Sequence, residues 1–303
     1  MPACGGFIES YVRIEHPARS NHQEAPAMRL KFARSRIAAG LVASFALAAP
    51  AASHADTAGL PTTITSTGTI TYCSAVSLPP MEFFDAKQQP EGVDIELGNL
   101  LATRLGVKAK FINMPFAGLI PALLAGHCDA ILSQLFIKPP RLKVIDEIPY
   151  MNSQEGFILK AGKPKISGPA DLSGLKAATV TGTTATNLMQ AANDDLTKAG
   201  KPPINIVMFP ENTPALQQVQ FGQVAAYGVS YEAALYYARL EPTVFESGSP
   251  PYFKILTGIG VAKSTPGLKL ALTVALSGLM RDGTYSMVFK RWHLEDDALP
   301  LPQ

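Results

Sequence analysis

Histidine, cysteine and tryptophan are scarce in this chain of 303 residues, at five, three and one. Only His127 and His293 follow residue 55, and the histidines and cysteines form no metal-spaced set. A Gly-x-Ser-x-Gly elbow, a phosphate loop and a nucleotide fingerprint are absent as well. Zinc hydrolysis, serine-nucleophile chemistry and nucleotide handling therefore find no residues here. The expectation is no catalytic residue, no metal ligand and no cofactor. An excess of one charge is missing too. If residues 1–55 form a removable leader, six of 26 basic and three of 24 acidic residues go with it, leaving 20 against 21. That balance offers no surface to nucleic acid or to an anionic membrane. The apolar run at residues 37–49 is too short to span a bilayer.

What is present begins with an export signal. Residues 1–27 show no periodicity and read as an upstream extension that precedes a second methionine, Met28. From there Arg29, Lys31, Arg34 and Arg36 lead into the apolar run, and Ser53-His54-Ala55 follows as a small-residue cleavage site. Residues 28–55 are thus expected to be a signal peptide, with mature protein starting near Asp56. The competing reading is an N-terminal membrane anchor. No cysteine follows the run, so no lipid anchor is indicated, and a periplasmic location is expected. The remaining 248 or so residues suit two lobes of ordinary domain size. Cys73 and Cys128 remain after export. They read as lying near opposite ends of parallel strands, several residues out of step, so two buried free thiols are expected.

Residues 113–141 organise the chain. Leu119, Ile120, Leu123 and Leu124 recur at helical spacing, and Gly126 stands where a glycine closes a helix. Residues 129–133 form a short apolar run, as a parallel strand covered on both faces would. Polar groups wait at its C-terminal end: Ser133 and Gln134, then Lys138 and Arg141 around Pro139-Pro140. Ligands of open α/β sheets bind outside the carboxyl ends of strands. Arg141 is therefore either a fork for a carboxylate or a surface arginine paired with Asp146 or Glu147. Residues 222–229 repeat the order helix, glycine, strand, so both halves follow one βαβ logic. Thr181-Gly182-Thr183-Thr184 leads into a helix, where it serves as an anion site or as a plain threonine cap.

These motifs resemble the bacterial extracellular solute-binding proteins, family 3, which deliver ligands to ABC importers. The resemblance rests on Phe116, Leu119-Ile120-Pro121-Ala122-Leu123, Gly126, Asp129-Ala130-Ile131, Ser133, Ile137, Arg141 and Pro149-Tyr150. Matches of strand, turn and closing helices extend it from about Gly68 to Trp292. It implies an α/β, two-lobed periplasmic-binding-protein fold of type II. Each lobe would be a mostly parallel sheet flanked by helices, with a two-strand hinge between them. Lobe one would comprise residues 56–155 and 254–303, and lobe two residues 156–253.

The resemblance also implies a site and partners. Arg141 and Ser133 would take a ligand carboxylate, Thr183 and Thr184 would assist from lobe two, and Phe116 would flank the ligand. Gln134, Leu78 and Glu82 complete the expected lining. Three positions depart from the family pattern. Phe136 stands where a carboxylate-binding Ser or Thr is usual, Ser230 replaces the acid that takes an ammonium, and Ala75 replaces an acid of basic-amino-acid binders. Losing such an acid forfeits roughly 1.5–3 kcal/mol. Lysine, arginine and histidine are therefore not expected as ligands, unless Glu82 or Glu232 substitutes. The implied partners are a small-molecule carboxylate and the permease and ATPase of an ABC importer, with the binding protein a monomer. A periplasmic dehydratase acting on cyclohexadienyl acids is the alternative on this fold, with Glu82 as its acid. A sensor input domain would need signalling segments that this sequence lacks.

Overall fold

The computed structural model describes residues 59–248 and 250–301. The leader and the expected cleavage site near Asp56 lie outside the described residues. The chain opens with α1 (Thr62–Thr67), β1 (Thr69–Ser74), the small hairpin β2 (Phe83–Phe84) and β3 (Pro90–Glu91), α2 (Val93–Arg104) and β4 (Lys108–Asn113). The motif region then gives α3 (Leu119–Leu124), β5 (Ala130–Ile131), α4 (Pro139–Leu142) and the long β6 (Ile145–Lys160). Next come β7 (Lys176–Val180), α5 (Thr184–Lys198), β8 (Asn205–Phe209), α6 (Asn212–Gln220), β9 (Ala226–Ser230) and α7 (Tyr231–Leu240). β10 (Phe245–Ser247), β11 (Phe253–Ala262), α8 (Pro266–Arg281) and α9 (Thr284–Arg291) complete the order.

The main sheet runs β4-β1-β5-β11-β6-β9-β7-β8, with β10 added beside β6. Its two ends are parallel: β1 pairs with β4 and β5, and β7 pairs with β8 and β9. The middle is antiparallel. β6 pairs with β11 from Ile145 to Glu155 and with β9 from Glu155 to Ile158. One 16-residue strand therefore belongs to both lobes, and it changes partner at Glu155.

Alternation along the strands splits the interior into layers, because successive side chains point to opposite faces. In lobe one, Ile70 and Tyr72 of β1 pack with α2, α8 and α9, whereas Cys73 and Ala75 pack with Leu119 and Leu123 of α3. In lobe two, Tyr227 and Val229 of β9 face α6 and α7, and Ala226 faces α5. The helix–glycine–strand device recurs as read from sequence. Gly126 and Gly222 follow α3 and α6 at φ +75° and +68°, the left-handed conformation that closes a helix without a Cβ penalty. α3 is shorter than its apolar periodicity suggested. Leu119 and Leu123 are buried, Ile120 is half-buried and Leu124 faces solvent.

The expectation of free thiols is corrected: Cys73 and Cys128 form a disulfide, with their Cα atoms 5.7 Å apart. β5 begins only at Ala130, and the residues before it turn across β1 instead of extending along it. Asp129 donates its N–H to the Thr71 carbonyl, and its carboxylate accepts the Thr71 N–H at 2.7 Å. That turn carries Cys128 onto the α3 face beside Cys73, which a straight-strand count could not see. The bond closes a loop across 55 residues of sequence, so its loss releases substantial unfolded-state entropy. Reduction, or Cys73→Ser with Cys128→Ser, is expected to cost about 2–4 kcal/mol in urea unfolding. Peptide mapping after alkylation should find both cysteines labelled only after reduction. Labelling of either before reduction would contradict the bond.

Candidate functional site

The C-terminal ends of β1 and β5 face those of β7 and β9 across a cleft of about 480 Å³, counted to its open mouth. All ten residues expected from the sequence line it: Leu78, Glu82, Phe116, Ser133, Gln134, Phe136, Arg141, Thr183, Thr184 and Ser230. No histidine stands in its wall.

Arg141 is the centre of charge. It sits in α4, whose first residue is Pro139, and it is only 6 % exposed. Its Nη1 donates to the Phe136 carbonyl at 2.7 Å and its Nη2 to the Gly182 carbonyl across the cleft at 3.2 Å. Its guanidinium carbon lies 5.4 Å from the centre of the Phe116 ring. Of the two readings left open by sequence, the surface pair is not formed. Asp146 instead binds Lys263 at 2.9 Å and Lys269 at 3.1 Å, and no acid lies within 4 Å of Arg141 among the described residues. Burial lowers the Arg141 pKa to about 10, and Glu147 and Glu155 partly offset that by their charge. The group therefore stays cationic at neutral pH, in a site where a missing counter-charge is costly.

Phe136 contributes its carbonyl, as an acceptor for Arg141, and not a hydroxyl. At the start of α5, Thr183 is the cap read from sequence: its hydroxyl accepts from the Thr186 N–H and donates to the Val180 carbonyl. The Ala185 N–H favours the charged form of Glu155. Much of that helix end is thus engaged by the protein's own groups, and what remains free is the hydroxyl of Thr184. Ser230 caps α7 by accepting from the Ala233 N–H at 3.4 Å.

Glu82, which the sequence offers as a lining residue and a possible substitute acid, stands in the cleft wall. Glu82 is 1 % exposed and accepts from Ser133 at 2.8 Å, while Ser133 also accepts the Ala75 N–H at 2.9 Å. Burial, and then the charge of neighbouring Asp94, push the Glu82 carboxyl well above its usual range. Asp94 keeps the charge of the pair, because Tyr150 donates to it at 2.6 Å and the Gln134 N–H at 2.7 Å. Glu155, 2 % exposed, is the acid that sequence reading missed. An acid standing before the apolar Gly156-Phe157-Ile158-Leu159 was the available signal. Asn212 and Tyr227 were also missed. They bond to one another, and Asn212 reaches Ser77 of the other lobe at 3.0 Å. Glu232 lies outside the cleft wall and ties Gln134 at 3.0 Å and the Gln154 N–H at 3.0 Å. Four buried atoms in the cleft wall have no hydrogen-bond partner among the described residues: Glu82 Oε2, Gln134 Oε1, Glu155 Oε2 and Thr184 Oγ1. Groups of this kind are costly unless a ligand satisfies them.

Two lobes sharing a long strand, with a charged cleft between them, define a ligand-binding protein of the periplasmic type. The chain belongs to the bacterial extracellular solute-binding proteins, family 3, whose model matches residues 70–295. It is similar to the L-arginine-binding protein of Pseudomonas aeruginosa, 30% identical over 221 residues that cover 69% of this chain and 82% of the relative. Among solved structures, an ancestral arginine-binding protein bound to arginine superposes with a TM-score of 0.69 at 29% identity, covering 74% of this chain and 98% of the other. An ancestral amino acid-binding protein described as a precursor of cyclohexadienyl dehydratase gives 0.67 at 31%, covering 76% and 97%.

Burial raises the carboxyls of Glu155 and Glu232 to about 8 and that of Glu147 to about 7, from an ordinary 4.5. A carboxyl raised on folding binds more proton in the folded state, so its stabilising share is full below pH 4.5 and is lost as pH rises through the folded value. The ligand-free protein is therefore expected to melt at lower temperature at about pH 8 than at about pH 5. Glu155→Gln should flatten that slope. A melting temperature that rises across this window, or a slope untouched by the substitution, would contradict these assignments.

Proposed function

We propose that this protein is the substrate-binding subunit of an ABC importer and captures a small carboxylate ligand in the cleft between its lobes. Lobe one comprises residues 56–155 and 254–303 in this reading, and lobe two residues 156–253. The observation that carries the reading is Arg141, a buried guanidinium in the cleft wall with carbonyl partners and no acid beside it. A carboxylate satisfies such a group through two parallel charge-assisted hydrogen bonds. Capture works by closure. A ligand that touches Arg141 and Ser133 on one lobe and Thr184 on the other binds the closed arrangement better, and shifts the lobes towards it by that difference. The permease and ATPase at the inner membrane would then read the closed surface.

Relatives named for binding arginine or for other amino acids support an amino-acid-sized ligand. The exclusion of basic amino acids rests on Ser230 and Ala75 standing in place of acids, and the buried Glu82 and Glu155 of the cleft wall are the groups that would substitute. The dehydratase alternative would use the same cleft with Glu82 as acid. One solved relative, called a precursor of cyclohexadienyl dehydratase, is itself called an amino acid-binding protein, which supports binding. Export through the leader, a periplasmic location and a monomeric state belong to the same reading.

Arg141→Ala is expected to weaken ligand binding by on the order of 2–4 kcal/mol, since a desolvated carboxylate loses its partner. Calorimetry with the small molecule released from the purified protein checks this, on variant protein shown to be folded by circular dichroism. Unchanged affinity would remove Arg141 from the site.

A further inference from the structure

We propose that Glu232 is a latch between the lobes, a carboxyl on lobe two that closes onto two donors of lobe one and sets how long a captured molecule is held without touching it. The proposal rests on the capture-by-closure reading above and adds the residue that fixes the closing equilibrium. Glu232 stands in the first turn of α7 and is 2 % exposed. Both of its oxygens are bonded across the lobe boundary, Oε2 by the Gln134 side-chain amide at 3.0 Å and Oε1 by the Gln154 N–H at 3.0 Å. The other interlobe bonds, to Gly182 and to Ser77, come from the cleft-wall residues Arg141 and Asn212, whereas Glu232 lies outside that wall. A change at Glu232 therefore alters closure and leaves the bonds of Arg141 and Ser133 in place. Both latch partners are themselves held. Gln154 belongs to β6, one residue before that strand changes partner. Gln134 has a backbone φ of +39°, a region that residues other than glycine seldom adopt, and Asp94 accepts its N–H at 2.7 Å. Because Gln134 also lines the cleft, its amide joins the cleft wall of lobe one to α7 of lobe two.

The charges around Glu232 make this latch responsive. Asp297, from the segment after α9, and Glu155 of β6 are the acids whose charge acts on it or on which its charge acts. On its outer side Glu232 borders a cavity of about 1160 Å³, counted to its open mouth, that both lobes line. The other titratable groups of that cavity are Tyr231, Tyr236 and Arg239 of α7, Arg291 and His293 at the end of α9, and Asp296. Arg291 is paired with Glu96, and no cation lies within 4 Å of the Glu232 carboxylate among the described residues. Burial, and then the charge of Asp297, raise the Glu232 carboxyl to about 8, against the bonds from its own N–H, from Gln154 and from Gln134. Opening the lobes withdraws Asp297 and the wall of lobe one, and returns the carboxyl towards its ordinary range. Closure therefore takes up a proton. Its stabilisation by Glu232 is complete below the open-state value and is lost as pH rises through the closed-state value near 8.

The test attaches spin labels through Lys110→Cys in lobe one and Lys201→Cys in lobe two, both exposed positions. Pulsed electron resonance then reads the interlobe distance at pH 6 and pH 9, before and after adding back the small molecule released from the purified protein. Glu232→Ala is expected to lengthen the distance in stripped protein and to speed dissociation of that molecule about 5- to 50-fold, with association changed less than about twofold. Glu232→Gln, nearly the same in shape, should flatten the change in distance between the two pH values. Asp297→Asn, which removes the repulsion, should keep the lobes more closed than in the unsubstituted protein at pH 9. Should Glu232→Ala fail to fold, the pH responses of the other two variants decide. Distances, pH responses and dissociation rates that match the unsubstituted protein in every folded variant overturn the proposal and leave closure standing. If the unsubstituted protein gives one distance with and without the added molecule, the closure reading falls and the latch with it.

Discussion

A guanidinium taken out of water without a counter-charge is the condition around which this molecule is arranged. Arg141 keeps its charge because Glu147 and Glu155 partly offset its burial; two carbonyls, from Phe136 and from Gly182, accept its hydrogen bonds, and the Phe116 ring lies against it. Carbonyl dipoles only partly replace hydration, so the site remains electrostatically unfinished. One of the two carbonyls belongs to the opposite lobe, which makes the arrangement of the lobes and the solvation of Arg141 a single problem. An anion entering the cleft changes both at once. In the proposed capture by closure, a binding event at one side chain thereby becomes a movement of whole domains.

The scaffold meets that condition through one strand. β6 is antiparallel to its neighbours while the rest of each lobe's sheet is parallel, and it spans both lobes without a break. Each lobe has its own core on either side of the change of partner at Glu155, so the proposed closure would bend the strand there without disturbing either core. The residues beside that point, Ser153 and Thr257, share a buried hydroxyl contact at 2.6 Å, and the β6–β11 register shifts between Thr257 and Gly258. Hydrogen bonds that span the lobes include Arg141 to the Gly182 carbonyl, Gln134 and the Gln154 N–H to Glu232, and Asn212 to Ser77, each resting on a single side chain. Contacts of that kind can be exchanged at modest cost, as a cleft that opens requires.

Much of this was legible in the sequence because the signals were local. Gly126 and Gly222 announced their helix ends, Thr183 its cap, and the apolar run before Ser133 a buried strand. The lining from Leu78 to Ser230 followed from strand ends and from family motifs that keep their order. What escaped depended on neighbours distant in sequence. Cys128 reaches Cys73 only because Asp129 bonds twice to Thr71 and turns the chain. Glu155 is buried only because β9 and β11 are laid on either side of it. Asn212 begins α6, and only the fold sets it against Tyr227 and Ser77. Burial of polar groups is decided by such tertiary neighbours, and no periodicity within the sequence carries it.

The central claim is that the unpaired charge of Arg141 is the anchor for a carboxylate. A crystal structure of the protein with the small molecule recovered from it tests this most directly. The account predicts two ligand oxygens within about 3.2 Å of the Arg141 guanidinium, with the molecule held between both lobes. A ligand lying elsewhere, with Arg141 still bonded only to the carbonyls of Phe136 and Gly182, would contradict it.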